Sequence, residues 1–461
     1  MQMATGPYYV DMGGQWVSPH VQPHVTHLLK ELGVTIYPQY NQGQHIIQSS
    51  EPKRYAYTGT VPLSVGLATA LNLGFLLSWM ERLVMTVSPS HPASHPHAAD
   101  LDHQSLWDAL SNKTSNRFVR EIMTAICRCC FGADPHEVSF LYVLHYSRAA
   151  GCFENLLNVD GGGQEYRMTG GAQSLYNALA ATLPEDCIAL QEPVWKVERV
   201  NDTYRVVHGQ DQMTVAKRII MAVPPSQLRH IVLEPALPLW RRRAYEHLTM
   251  AHLTKILVSY TTAFWRADGL SGQLCSCAGP ICIAMDATSE DGQNPALVMF
   301  IGGDDAYHWS QTSPAKRRTA VIDQLQAVFG PKAGDYIDYK EKDWSQEPFT
   351  GGCPVNIMHP GDMNLHSWEQ LRAPEYESSF FFAGTEVATT WPGFMNGAVE
   401  SGWRAARECL KTLNKPTGHI PVIGSLASDP KTLLPTLSYP AVVALTGAAL
   451  SVAAWYFWAQ K

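Results

Sequence analysis

The sequence predicts a mixed α/β protein with a C-terminal membrane helix, and three stretches carry that prediction. Arg218-Ile219-Ile220-Met221-Ala222-Val223 is an apolar run halted by Pro224-Pro225, the pattern of a strand buried within a sheet. Phe381 and Phe382 end a second apolar strand at Ala383-Gly384-Thr385-Glu386. A loop with Gly393 and Gly397 then feeds a helix rich in alanine, glutamate and arginine. Residues 440–458 carry no charge at all. With 461 residues, 46% of them hydrophobic, the chain can bury a large core divided into roughly two or three domains.

The remaining elements follow in chain order. Val10 and Trp16-Val17 flank the glycine turn Gly13-Gly14. A helix is expected after it, with apolar spacing through His24, Leu28, Leu29 and Leu32 and a stop at Gly33. Residues 70–87 and 104–131 read as helix, and 142–150 extends that helical region. Gly161-Gly162-Gly163-Gln164-Glu165 opens a turn. Residues 194–200 and 204–208 read as successive strands, and 253–260 alternates as another. Ser313-Pro314 is expected to cap a helix whose face repeats at Val321, Leu325 and Val328 before Gly330 ends it.

Composition removes several function classes. A net charge of −7 leaves no basic footprint for nucleic acid. The ten cysteines do not read as a disulfide framework in a chain this long. Neither Cys127/Cys129/Cys130 nor Cys275/Cys277/Cys282 has the spacing of a structural zinc site, so no metal is expected. Histidines 91, 95 and 97 lie among prolines and serines, as in a solvated loop. No charged-then-apolar leader opens the chain. At the other end, the 19 residues 440–458 would span roughly 28 Å as a helix, enough for a hydrocarbon core. Trp455, Tyr456 and Trp458 gather at its far end as an aromatic belt would, so a tail anchor is expected.

Glycines at the turn after Phe382 let backbone N–H groups approach a flat ligand, and the helix that follows offers its positive end to anionic oxygens. The stretch Phe381-Phe382-Ala383-Gly384-Thr385-Glu386, through Trp391-Pro392-Gly393-Phe394-Met395-Asn396-Gly397, closely resembles the C-terminal flavin motif of the flavin-containing monoamine oxidases. Trp344-Ser345-Gln346-Glu347-Pro348-Phe349-Thr350-Gly351-Gly352-Cys353 resembles the segment in which that family tethers FAD through a cysteine thioether. Tyr9-Val10-Asp11-Met12-Gly13-Gly14-Gln15-Trp16-Val17 resembles the strand and turn beneath the flavin. The resemblance covers nearly the whole chain from about Pro7.

This resemblance implies a two-domain, FAD-linked amine oxidase fold and oxidative deamination of a primary arylalkyl amine, with O2 reduced to H2O2. It implies FAD held covalently by Cys353 and cradled by Gly13, Gly14, Trp16, Val194, Gly384, Thr385, Glu386 and Met395. Lys255 falls where the family places a lysine joined to the flavin through a water, and Trp344 is expected to pack beside it. A lysine turned inward on such a strand is costly unless it has a task. The Gly351-Gly352 pair is expected to let the Cys353 sulfur reach the flavin without steric conflict. Of the two aromatic positions that flank the amine, Phe394 keeps a ring and Pro354 does not. The implied pocket adds Cys129, Cys130, Leu157, Gln164, Ile283 and Phe300, mostly apolar and suited to a neutral amine.

One departure stands at the front: no Gly-x-Gly-x-x-Gly fingerprint occurs anywhere in the chain. Residues 1–40, 165–230 and 345–413 are therefore expected to form a discontinuous FAD-binding domain lacking its first βαβ unit. Residues 41–164 and 231–344 form the substrate domain, 414–439 a linker and 440–458 the anchor. The tail is expected in the mitochondrial outer membrane, facing the cytosol, with the endoplasmic reticulum as the alternative. Homodimerisation is the self-association this reading allows. Two rivals stay open: an FAD-free, membrane-anchored scaffold or dominant-negative isoform, and a polyamine or amino-acid oxidase.

Overall fold

A seven-stranded sheet dominates the computed structural model, which describes residues 8, 10–51, 53–59, 62–365 and 368–423. Its strands run in the spatial order Tyr336–Asp343, Leu253–Tyr260, Ala296–Gly302, Ile283–Asp286, Leu270–Ser276, Gln44–Gln48, Arg54–Tyr57. Every neighbouring pair is antiparallel except Leu270–Ser276 with Gln44–Gln48. Leu253–Tyr260 is buried along its whole length because both faces are covered. Leu253 and Leu257 point into one hydrophobic core, while Ile256, Val258 and Tyr260 point into another. Successive side chains of a strand leave on opposite faces, so one strand serves both cores. Pro314–Phe329 lies over the second core through Val321, Leu325 and Val328, and Gly330 ends it at φ 92°. Ser313 occupies the cap position, yet its side chain makes no capping bond; Pro314 at the first turn supplies the start instead.

Helices Leu67–Val84, Leu106–Lys113, Arg117–Phe131 and Phe140–Ala149 occupy the stretches that apolar periodicity predicts as helical. Smaller sheets make up the rest. Trp16–Val17, Tyr166–Met168 and Ile36–Pro38 form one, and Val232–Glu234 joins Val194–Val200, Thr203–His208 and Gln212–Ala216 in another. The run expected as a buried strand shortens to Ile219–Met221, parallel to Phe380–Phe382. Ile220 is 41% exposed, so this strand is covered on one face, not both. Residues 424–461, and with them the expected anchor 440–458, lie outside the described residues. Among the described residues no helix is long and apolar enough to cross a membrane.

Two buried polar residues tie distant segments together. The helix Pro23–Glu31 has no side-chain cap of its own. Asn396, fully buried, supplies it from far along the chain: its Oδ1 accepts from the backbone of His24 at 2.8 Å and Val25 at 3.2 Å. Arg241, also fully buried, stands on the helix Leu239–His247. Its guanidinium donates to Glu375, to Tyr245 Oη and to the carbonyls of Gln370, Leu371 and Ala373, and it stacks 4.1 Å from the Phe382 ring centroid. It thus docks the turn ahead of Phe380–Phe382 against that helix. Arg241→Met leaves a carboxylate and three carbonyls without their donor. It should lower the unfolding free energy by about 3–5 kcal/mol, and Asn396→Ala by about 1–2 kcal/mol, both read from denaturant midpoints.

Candidate active site

Lys255 stands on the face of Leu253 and Leu257 and is 2% exposed. In register it lies opposite Phe300 on one neighbour and Lys342 on the other, and Phe300 in turn lies opposite Ile283. Ile283, Phe300 and Lys255 therefore form one cross-strand row. The ammonium donates to the Gly13 carbonyl at 2.9 Å and to Gln15 Oε1, and it sits 5.9 Å from the Trp16 ring and 5.8 Å from Phe300. Burial lowers its pKa to about 7, although Asp11 and Cys353 pull the other way. The Trp344 ring carries Lys342, and its indole N–H donates to the Met12 carbonyl at 2.8 Å. Trp344 and Lys255 thus both bond the Met12-Gly13 turn.

Cys353 closes a loop whose glycines are packed tightly against their neighbours. Gly351 and Gly352 have φ of 69° and 146°. A Cβ at Gly351 would come within 2.2 Å of Gln227 Nε2, and one at Gly352 within 2.4 Å of the Ala251 carbonyl. The pair lets the loop lie close against Gln227, Met250 and Ala251. The loop is pinned by Cys353 N–H donating to Ala251 at 3.0 Å. Burial pushes the Cys353 thiol up to about 12, with the Lys255 charge opposing. Pro354 is a packing residue here, with its Cδ filling the space beside Gly132 at the end of Arg117–Phe131.

Beyond Phe380–Phe382, Gly384 adopts φ 125° and its N–H donates to Ser401 Oγ at 3.0 Å. Thr385 Oγ1 donates to the Phe394 carbonyl, and Glu386 accepts from Asn356 at 2.7 Å. Desolvation raises the Glu386 carboxyl pKa, and the Asn356 bond partly offsets that. Met395 opens the helix Met395–Thr412 and packs on the small core of Val17 and Val25. The Asn396 cap therefore brings this helix start to the segment that carries Gly13 and Gly14.

Phe394 joins an aromatic cluster that sequence reasoning did not find. Trp391 meets it edge-on at 4.8 Å and Tyr146 lies 6.2 Å away, with Phe131 and Tyr142 behind Tyr146. Gly393 has no room for a side chain, since a Cβ would stand 2.2 Å from Tyr146 Oη. Gly163 plays the same part toward Trp391, at 2.9 Å, and so places Gln164, whose amide donates to the Leu156 carbonyl at 3.1 Å. The glycines at 163 and 393 were the available signal, but nothing local names their partners. Cys129, Cys130 and Leu157 are half-buried against the same core as Phe394, Ile283 and Phe300. Val194 takes no part in this row; it lies in the four-stranded sheet opposite His208.

The depressed Lys255 pKa gives a signed pH dependence. Between about pH 7 and the ordinary lysine value, the unfolded side chain keeps a proton that the folded one has shed. Stability of the parent relative to Lys255→Met should therefore rise with pH across that window by roughly 1.4 kcal/mol per unit, and level off below pH 7. Urea midpoints of both proteins at pH 6.5, 8 and 9.5 measure it. A difference that stays constant across those values would show that the folded lysine keeps its ordinary pKa.

A sequence model described as flavin containing amine oxidoreductase matches residues 2–410. The "Probable flavin-containing monoamine oxidase A" of Dictyostelium discoideum is 32% identical over 404 residues, covering 87% of each chain. Among solved structures, a mutant of putrescine oxidase superposes with a TM-score of 0.84 at 27% identity, covering 89% of this chain and 90% of that one. Cyclohexylamine oxidase from Brevibacterium oxydans does so with 0.83 at 28%, covering 88% of both. The chain belongs to the family of flavin-containing amine oxidoreductases.

Proposed function

We propose that this chain oxidises a primary arylalkyl amine to its imine, which hydrolyses to the aldehyde, with O2 reduced to H2O2. The observation that carries the reading is a buried lysine of depressed pKa, held against the Gly13-Gly14 turn and set in an apolar cross-strand row. The local residues suit a flavin ring. Gln15 Nε2 is buried without a partner, and a Cβ on Gly14 would meet nothing within 4 Å, so the turn offers both an unused donor and open space. FAD supplies the acceptor for a hydride equivalent and passes the electrons to O2. On this reading Gly13, Gly14, Trp16, Val194, Gly384, Thr385, Glu386 and Met395 hold it, and Cys353 tethers it.

The protein's own contributions are position and electrostatics. Near pH 7 Lys255 is close to half-protonated, so it can hold a proton at Nζ or release one without a large penalty. Phe300, Ile283, Leu157 and the ring of Phe394 keep water from the amine, and desolvation favours the neutral nitrogen whose lone pair assists C–H cleavage. Pro354 provides no ring, and Tyr146 and Trp391 are the aromatic surfaces nearest to Phe394. The apolar lining favours an arylalkyl amine over the diamine named for the putrescine oxidase neighbour, whose second cation calls for an acidic partner. The 19 uncharged residues 440–458 support the companion proposal of a C-terminal anchor, in the mitochondrial outer membrane.

Two measurements test this. Purified protein should be yellow, keep its colour on acid precipitation and show an intact mass increased by one FAD; Cys353→Ala should lose only the acid-stable colour. A colourless preparation that takes up no flavin would leave the anchored, FAD-free scaffold as the reading. In stopped-flow work with a phenylethylamine, Lys255→Met should slow flavin reduction or reoxidation by roughly tenfold or more. Unchanged rates would remove Lys255 from the reaction.

A further inference from the structure

A cavity of about 580 Å³ lies behind the Cys353 loop, between the turn Pro225–His230 and the helix Leu239–His247. Its wall includes Gly351, but not Lys255, Cys353, Gly13, Gly384 or Phe394, so it is separate from the site above. The volume falls within the roughly 300–1,000 Å³ of ordinary small-molecule sites. Three kinds of side chain line it. Ser226 and Gln227 are polar and each 6% exposed. The buried Ser226 hydroxyl has no hydrogen-bond partner. Buried polar groups are normally satisfied, so an unsatisfied hydroxyl on a cavity wall points to a guest that satisfies it. Leu228, Ile231, Leu237 and Leu248 supply an apolar stretch of the wall.

At the mouth stand Arg229 and Arg242, both exposed. Arg242 Nε donates to the Leu237 carbonyl at 3.2 Å and Arg229 Nε to His230 at 3.4 Å. The terminal nitrogens of both make no bond among the described residues. Glu246 also reaches the mouth without an ion pair among the described residues, leaving two cations to one anion. Two free guanidinium forks suit a carboxylate, which each can bind through paired N–H donors.

The geometry points to a second ligand site for a small amphipathic carboxylic acid. Its carboxylate lies between Arg229 and Arg242, its ring or chain lies along Leu228, Ile231, Leu237 and Leu248, and a hydroxyl at its far end pairs with Ser226 and Gln227. Because Gly351 forms part of the wall, an occupant buttresses the loop that carries Cys353.

Isothermal titration calorimetry on the full chain tests this with 3-(4-hydroxyphenyl)propionate as probe. The acid should bind saturably. The corresponding amide, lacking the charge, should bind at least tenfold more weakly, and 3-phenylpropionate, lacking the hydroxyl, several-fold more weakly. Arg229→Gln with Arg242→Gln should cost at least tenfold at an unchanged melting temperature, and Leu237→Trp should block binding by filling the cavity. The proposal is overturned if acid and amide bind alike, if the arginine double variant retains the acid, or if benzylamine displaces it competitively. The heat signal requires no turnover, so its failure is distinguishable from failure of the oxidase reading.

Discussion

A single buried ammonium organises the candidate site. Lys255 occupies a fully buried strand, next to the edge of the largest sheet, where burial disfavours a charge strongly. The strand tolerates it because the Gly13 carbonyl and Gln15 Oε1 accept its protons, and because the rings of Trp16 and Phe300 offer their faces. Those acceptors belong to a turn more than two hundred residues away in sequence. The lysine therefore does two things at once: it pins the Gly13-Gly14 turn to the sheet, and it acquires a pKa close to neutrality. A lysine buried at such cost on a strand that otherwise serves two apolar cores is what motivates placing it in the proposed chemistry.

Other constraints work toward the same geometry. Asn396 completes the start of Pro23–Glu31, and in doing so fixes the beginning of Met395–Thr412 beside that helix. Arg241 holds the turn ahead of Phe380–Phe382 to a helix of the neighbouring segment. Each is a fully buried polar side chain whose partners are supplied by tertiary structure alone. Such residues specify how pieces meet, since apolar contact is non-directional and tolerates small sliding while a multiply bonded group does not.

The cysteine loop and the aromatic cluster depend on glycine for steric reasons. Gly351, Gly352 and Gly393 each face an atom that would overlap a side chain, and the three neighbours are Gln227, Ala251 and Tyr146. Phe394 thereby has Trp391 and Tyr146 as neighbours, while Pro354 contributes aliphatic packing beside Gly132. The rings around Phe394 come from the helix Phe140–Ala149 and from Trp391.

The amino-acid sequence by itself determined the class of fold, the longest helices, the paired strands between Val194 and His208, the ends set by Gly33 and Gly330, and the motifs that mark the family. These are local properties, written in apolar periodicity and in residues of restricted backbone freedom. The hydrogen-bond partners of Lys255, the partner of Trp344, the packing around the Gly351-Gly352 pair, the single covered face of Ile219–Met221 and the roles of Asn396, Tyr146 and Trp391 were decided only by tertiary structure. Each depends on which residue arrives opposite it from elsewhere in the chain, and local periodicity carries no information about that partner.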